Sequence, residues 1–143
     1  MSAAIRPLLV LALLNVAHAA SPAVRVSGAW VRAVPGADVA AAYFVLYNTG
    51  PAAVSLRAVR SPLAGSVSVH ETRQVNGQSQ MRPRAAVPIG PGARVAFAPE
   101  GLHVMLSQLH VPLAVGLRVP LILEFSDGQT VELAAPVRPP DAR

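Results

Sequence analysis

The sequence predicts an all-β domain, an antiparallel sandwich or barrel, on three observations. Fourteen prolines and ten glycines interrupt the 143-residue chain, and breaks at this density disfavour long helices. Short runs rich in β-branched and aromatic residues lie between them, at the spacing of strands joined by tight turns. Hydrophobic residues make up 52% of the chain and charged residues 13%, so the composition is that of a packed domain and not of a disordered one.

Nine short strands are expected in chain order, each bounded by glycine, proline or polar turn residues. Bulky residues of the first two strands, Trp30, Tyr43 and Phe44, are expected in the core. The nine strands are 29–34, 42–47, 54–59, 65–73, 80–86, 94–97, 102–106, 119–125 and 130–137.

One turn is specified in detail by the sequence. Asn76-Gly77 predicts a two-residue type I′ hairpin, because both central positions of that turn need a positive φ. In this register Thr72 faces Met81, and His70 faces Pro83. Proline has no N–H to donate, so the ladder is expected to end at this point or to run along a sheet edge.

The N-terminus has the three parts of an export signal. Arg6 supplies a positive charge, residues 7–16 form an apolar run too short to span a bilayer, and 17–19 read Ala-His-Ala, a cleavage motif. The alternative is a buried N-terminal helix. We expect 1–19 to be a signal peptide and 20–143 to be an exported, soluble periplasmic domain without a membrane span. Cleavage removes one arginine and lowers the formal charge from +5 to +4, and outside the cytosol this charge does not indicate a nucleic-acid partner.

The absence of cysteine excludes several classes of site. Disulfide scaffolds, thiolate zinc sites, blue-copper sites, thiol nucleophiles and a lipid-anchored N-terminal cysteine all require that residue. The acidic residues show no paired spacing for acid–base catalysis, and no serine lies in a nucleophile-elbow motif. No residue pattern therefore indicates an enzyme.

The methionines and histidines of 20–143 suggest a metal site. Met81 and Met105 are the two methionines, and His70, His103 and His110 are the histidines, the last in a predicted loop. Residues two apart on a strand share a face, so His103 and Met105 point the same way. Thioether and imidazole ligands favour Cu(I), whereas calcium and magnesium prefer carboxylates and zinc usually adds thiolate or carboxylate. The alternative is that the methionines fill the core and the histidines are structural or surface residues.

The spacing His70-x10-Met81-x21-His103-x-Met105 resembles the H(M)-x10-M-x21-H-x-M signature of the PCuAC family of periplasmic copper chaperones. The similarity extends over most of 20–143. The flanking segments that resemble this family are AWVR at 29–32, AAYF at 41–44 with Asn48, GLHVML at 101–106, VPL at 119–121 and FSDG at 125–128.

The resemblance implies a cupredoxin-like, immunoglobulin-like antiparallel β-sandwich that binds one Cu(I) per chain at an exposed edge. It implies His70, Met81, His103 and Met105 as the ligands, and delivery of copper toward the dinuclear copper centre of cytochrome c oxidase. The expected partner is a copper-accepting protein, either an oxidase copper domain or a periplasmic thiol-containing assembly factor, and the expected state is a monomer.

Three alternatives remain open from the sequence. The first is a periplasmic protein for copper buffering or resistance. The second is a Cu(II) protein or copper enzyme whose ligand is an N-terminal histidine, His18, which requires cleavage after Ala17. The third is a β-sandwich interaction module whose methionines and histidines are structural. The chain also departs from the family pattern at Gln108, where a glycine is common, and has no second Met/His cluster for another copper ion.

Overall fold

The computed structural model describes residues 23–143, whose regular structure is entirely β. The ten strands are β1 (Val24–Ala33), β2 (Ala40–Asn48), β3 (Val54–Arg60), β4 (Ala64–Val75), β5 (Gln78–Pro83), β6 (Val87–Ile89), β7 (Arg94–Ala96), β8 (Leu102–Leu109), β9 (Arg118–Phe125) and β10 (Thr130–Arg138). The predicted all-β class is confirmed. The proposed signal peptide and its cleavage site fall at 1–20, outside the described residues.

The strands form one continuous sheet that folds over into a sandwich. Its order is β5-β4-β8-β2-β1-β10-β9-β3-β6, and β7 pairs with β2 beside this path. Contacts of β3 with β4 and of β2 with β6 bring the two parts of the sheet face to face. Among the described residues, no helix has the length and apolar character needed to cross a membrane.

One pairing differs from the antiparallel prediction. β1 and β10 run parallel, with Val31 level with Val137 and Arg32 level with Arg138. A parallel pair requires a long connection between its strands, and here all the intervening strands form that connection. No local signal in the sequence therefore indicates this contact.

A tenth strand, β6, was not among the nine expected. Pro88 stands at its centre and is level with Ser55 of β3, and a proline inside a short run argues against a strand. β6 tolerates it because β6 is the outer strand of the sheet, where one row of N–H groups needs no partner.

The core lies between the two parts of the sheet and follows the alternation of the strands, which is interrupted by irregularities in β1 and β3. Val104 and Leu106 on β8 are fully buried, as are Leu121 and Leu123 on β9. Burial of side chains of this size stabilises the fold by about 1.5–3 kcal/mol each. The predicted core residue Phe44 stacks on Phe97 with ring centroids 4.6 Å apart.

Trp30 and Tyr43, also predicted as core residues, are buried on the other face of the sheet. They are register partners on β1 and β2, and their ring centroids lie 4.7 Å apart. Their chain neighbours Val31, Ala42 and Phe44 belong to the core, so alternation turns both rings outward. The sheet thus carries a second, smaller aromatic cluster on its outer face.

Candidate metal centre

Three neighbouring strands, β5, β4 and β8, carry all four predicted ligands. The Asn76-Gly77 turn has φ values of 51° and 77°, as a type I′ turn requires. Thr72 is level with Met81 and His70 with Pro83, so the hairpin register predicted from the sequence is confirmed. The hairpin ends in the edge strand β5.

The pairing of β4 with β8 brings the predicted ligands on these two strands together. His70 is level with His103, and Ser68 is level with Met105. Because His103 and Met105 are two residues apart on β8, they share the outer face, while Val104 between them is buried in the core. All four predicted ligands are therefore on one face, within a few residues of one another across three strands.

His103 is held in one orientation by the backbone. Its Nδ1 lies 2.9 Å from the carbonyl oxygen of Gly101, and since a carbonyl only accepts, Nδ1 is the protonated nitrogen. Nε2 then carries the lone pair. It is buried and has no hydrogen-bond partner among the described residues, in a side chain that is 6% exposed. A buried imidazole nitrogen of this kind is ready to accept a metal ion, with the carbonyl acting as the orienting partner.

His70 lies beside His103 and is less constrained. The two ring centroids are 6.0 Å apart with an angle of 21° between the planes. Its contact with Ser68 is long, 3.4 Å from Oγ to Nδ1. The ring of His70 is therefore free to turn toward a metal ion shared with His103.

The two methionines line a cavity together with His103. This cavity has a volume of about 260 Å³, and Met81 at its mouth is 56% exposed, whereas Met105 is half-buried. The remaining lining residues come mainly from β1 and β2 and from the turn before β8: Arg32, Val34, Val39, Ala40, Ala41, Tyr43, Thr72 and Glu100. His70 is not part of the lining but adjoins it through His103.

The predicted ligands form a soft donor set. No group of three or more His, Cys, Asp or Glu side chains within residues 23–143 is placed to hold a metal ion. A site built from His70, Met81, His103 and Met105 therefore rests on two neutral thioethers and two neutral imidazoles, the donor set that Cu(I) prefers. His110, which the sequence placed in a loop away from the site, is exposed in the segment after β8.

The back of the hairpin carries an ion-pair cluster. Arg73 Nε lies 3.2 Å from Glu71 Oε1, and Arg84 pairs with the other carboxylate oxygen. These hydrogen bonds hold the pKa of the Glu71 carboxyl below its ordinary value. The cluster fastens β5 to β4 on the face opposite Met81.

Sequence reasoning missed Arg32 and Glu100 as neighbours of the site and assigned Tyr43 to the core alone. Arg32 is two residues from Trp30 and Tyr43 is two from Ala41, so strand parity is a signal for their shared outer face once the register of β1 and β2 is known. Burial raises the pKa of the Tyr43 hydroxyl, and the charge of Arg32 acts in the opposite direction. Nothing in the sequence indicates that Glu100, in a turn with a φ of 70°, reaches the cavity.

Comparison with known proteins gives one family match and one curated relative. Residues 24–137 match the family described as "Putative lipoprotein LpqE-like". The chain is 37% identical over 116 residues to "Putative lipoprotein Lxx21020" of Leifsonia xyli subsp. xyli, covering 80% of this chain and 69% of that protein.

Solved structures with the same fold include copper proteins. The copper-bound PCuAC domain from PmoF2 is 26% identical, with a TM-score of 0.71, over 85% of this chain and 97% of that domain. The solution structure of CuI-DR1885 from Deinococcus radiodurans is 34% identical, with a TM-score of 0.58, over 78% of this chain and 75% of that protein. The predicted cupredoxin-like, immunoglobulin-like β fold is confirmed by this similarity.

Proposed function

Because the chain belongs to the LpqE-like family and shares its fold with copper-bound PCuAC domains, we propose that it is a periplasmic Cu(I) metallochaperone. One observation carries the proposal. The buried, unpartnered Nε2 of His103 belongs to a side chain that lines one cavity with Met81 and Met105. An imidazole lone pair and two thioether sulfurs converging on one space form a soft-metal site.

The proposed ligands are His70, Met81, His103 and Met105, holding one Cu(I) per chain. All four are neutral, so they add affinity without compensating the charge of the ion. Thiol ligands outside the cytosol are prone to disulfide formation, a reaction that thioethers do not undergo. The cargo is thus held by groups that remain competent in an oxidising compartment.

The positions of the proposed ligands support transfer of the copper ion more than its storage. Met81 is 56% exposed and lies on the edge strand β5, while His103 is deeply buried. An incoming protein can therefore displace the outermost thioether first and add its own ligand before the imidazoles release the ion. We propose that the recipient is a copper-accepting protein, either the dinuclear copper domain of cytochrome c oxidase or a thiol-containing assembly factor.

The cellular location follows from the N-terminus. Residues 1–19 are proposed to direct export and to be removed after Ala19, leaving 20–143 as a monomeric binding protein without enzymatic activity. The names of the matching family and relative describe lipoproteins, in agreement with export. Intact mass of the exported protein tests the cleavage site, and a chain starting at His18 instead would revive the Cu(II) alternative.

Cu(I) binding is tested by competition with a chromophoric chelator under reducing conditions. We expect one equivalent of Cu(I) per chain, and at least about a tenfold loss of affinity, equal to about 1.4 kcal/mol, in Met105→Leu and in His103→Gln. His110→Gln is the matched control, because His110 lies outside the cavity, and it should bind as the unsubstituted protein does. Absence of binding, together with unchanged NMR shifts at His70 and His103, would favour a structural β-sandwich module.

Delivery is tested by mixing the Cu(I)-loaded protein with a soluble oxidase copper domain and following the metal in both proteins after separation. Handover is direct if copper reaches the oxidase domain faster than this protein releases copper to a chelator of equal affinity. The alternative is buffering. It would be identified if this protein retains its copper in the mixture and if cells that lack the protein become less tolerant of copper.

A further inference from the structure

Arg32 shares a cross-strand row with one of the proposed copper ligands. Arg32 on β1 is level with Ala41 on β2, and Ala41 is level with Met105 on β8. Alanine fills little of the space between the two long side chains. The cavity lined by Arg32, Ala41 and Met105 occupies the gap that this small residue leaves.

The guanidinium of Arg32 is fixed by aromatic and backbone contacts. Its central carbon lies 5.5 Å from the Trp30 ring centroid and 5.6 Å from that of Tyr43, distances typical of cation–π contacts. Nη2 donates to the carbonyl oxygen of Ala142 at 2.7 Å, and Nε is buried without a partner among the described residues.

No carboxylate of the described residues forms an ion pair with Arg32, although Glu100 and Asp141, both exposed, line a second cavity with it. The three ion pairs found within residues 23–143 are made by Arg60, Arg73 and Arg84. Glu100 also lines the cavity of Met105 but is exposed, so water screens its charge more effectively than that of the half-buried Arg32.

A second arginine raises the positive charge at this place further. Arg138 is the register partner of Arg32 across the parallel β1–β10 pair, and its guanidinium lies 5.3 Å from the Trp30 centroid. Like charges on neighbouring strands destabilise a sheet. This unfavourable pair is present in the fold, and the indole ring of Trp30 contacts both cations.

We propose that Arg32 is a selectivity residue that makes this site prefer monovalent copper over divalent ions. The inference rests on the proposed Cu(I) function. Four neutral ligands supply no negative charge to offset a cation nearby, so every positive charge on the bound ion is repelled by Arg32. A divalent ion, either Cu(II) or Zn(II), is repelled twice as strongly as Cu(I).

The size of the effect follows from the strand spacing. The backbones of Arg32 and Met105 are separated by two strand intervals, about 10 Å, and we take this as the scale of the distance between the guanidinium and the bound ion. Two unit charges at that distance and an effective dielectric of about 20 alter an equilibrium by about tenfold. Loss of the Arg32 charge should therefore raise the ratio of Cu(II) to Cu(I) affinity by about tenfold, which lowers the reduction potential by about 59 mV for one electron.

The test measures Cu(I) affinity, Cu(II) affinity and the reduction potential on the copper-loaded protein. Arg32→Met is the neutral variant, and Arg32→Lys keeps the charge and should keep the potential. Arg138→Met is the matched control, because it removes a cation that also contacts Trp30 but does not line the cavity. Arg138 is one strand farther from Met105 and is exposed, so distance and screening by water together should make its shift of the potential less than half as large. Glu100→Gln should shift the potential slightly in the opposite direction. Zn(II) competition should become stronger in Arg32→Met, and clearly less so in Arg138→Met.

Circular dichroism checks that each variant is folded, and Arg32→Gln replaces Arg32→Met if the latter is not. An unchanged potential in a folded, neutral Arg32 variant that still binds Cu(I) through histidine and methionine would overturn this inference and leave the proposed function intact. Equal shifts in Arg32→Met and Arg138→Met would also overturn it, since total charge would then explain both. A protein that binds no Cu(I) at all would overturn the proposed function and this inference together.

Discussion

His70 and His103 face each other across β4 and β8, with ring centroids 6.0 Å apart. In the proposed Cu(I) site this pairing should make copper binding sensitive to acid, because both imidazoles must be unprotonated to act as ligands. Imidazoles ordinarily take up protons between pH 8 and 5. We expect Cu(I) affinity to fall steadily from about pH 7.5 to about pH 5, approaching about a hundredfold per pH unit at the acid end.

The His70→Ala variant separates the two contributions. With one imidazole removed, the acid limit should fall to about tenfold per pH unit, since a single proton then competes with the ion. His110→Ala should retain the steep profile of the unsubstituted protein. A flat profile between about pH 5 and 7.5, measured by chelator competition, would contradict ligation by either histidine.

Met81→Leu should separate copper affinity from stability. Met81 is 56% exposed on an edge strand, so its replacement by a side chain of similar size should change the free energy of unfolding by less than about 0.5 kcal/mol. Cu(I) affinity should fall by at least about tenfold as the thioether is lost. Urea unfolding and chelator competition measure the two quantities, and an unchanged affinity would remove Met81 from the ligand set.

Asn48→Ala should lower stability and leave copper affinity unchanged, the opposite of what is expected for Met81→Leu. Asn48 is fully buried, and its Nδ2 donates to the carbonyl oxygens of Ala52 at 2.8 Å and Ile89 at 3.0 Å, while Oδ1 accepts from the Gly50 N–H at 3.0 Å. Truncation leaves these groups without partners and should cost about 3 kcal/mol.

Copper affinity should be unchanged in Asn48→Ala at temperatures where the protein is folded, because Asn48 lies at the end of β2 remote from Ala41. Thr49→Ala is the control for this position. Its exposed hydroxyl donates to the Ala23 carbonyl oxygen at 2.8 Å, and its loss should cost under about 1 kcal/mol. Similar losses in both variants by urea unfolding would contradict the special role of the buried amide.

Glu71 should contribute an acid-sensitive part of the stability. Arg73 and Arg84 lower the pKa of this carboxyl in the folded protein below its ordinary value of 4.5, so the stabilisation is complete above that pH and is lost as the pH falls through the folded-state pKa. Glu71→Gln should therefore be less stable than the unsubstituted protein at pH 7, by up to about 1 kcal/mol, and the two should converge near pH 3. Glu132→Gln, an exposed carboxylate on β10, should show no such pH-dependent difference in urea unfolding.

Local rules were sufficient to predict the strands and the hairpin of the candidate site. The Asn76-Gly77 turn determines the register of β4 and β5, and from that register the positions of His70 and Met81 follow. Alternation along β8 predicts the common face of His103 and Met105. These are short-range relations, and strand periodicity carries them directly.

Contacts between residues far apart in the chain could not be predicted from the sequence. The parallel pairing of Arg32 with Arg138 joins residues from nearly opposite ends of the domain, and the cavity at His103 is lined also by Tyr43 and Arg32 from other strands. Gln108 shows an intermediate case: glycine is common there in the PCuAC family, and Gln108 adopts a φ of 53°. A positive φ is uncommon for a residue other than glycine, and glutamine at this position gave no sign of it in the sequence.

The pairing of β5 has a mechanical consequence for a bound ion. Met81 is the third residue from the open end of the hairpin, after Pro83 and Arg82, and beyond them Arg84 donates to the Val69 carbonyl oxygen at 2.8 Å. Opening from this end breaks the contacts of Arg84 with Val69 and Glu71 first and then frees Pro83, Arg82 and Met81, while β4 and β8 remain paired. In the proposed Cu(I) site, the lifetime of the bond to Met81 is thereby coupled to local opening of the hairpin end and not to unfolding of the whole domain.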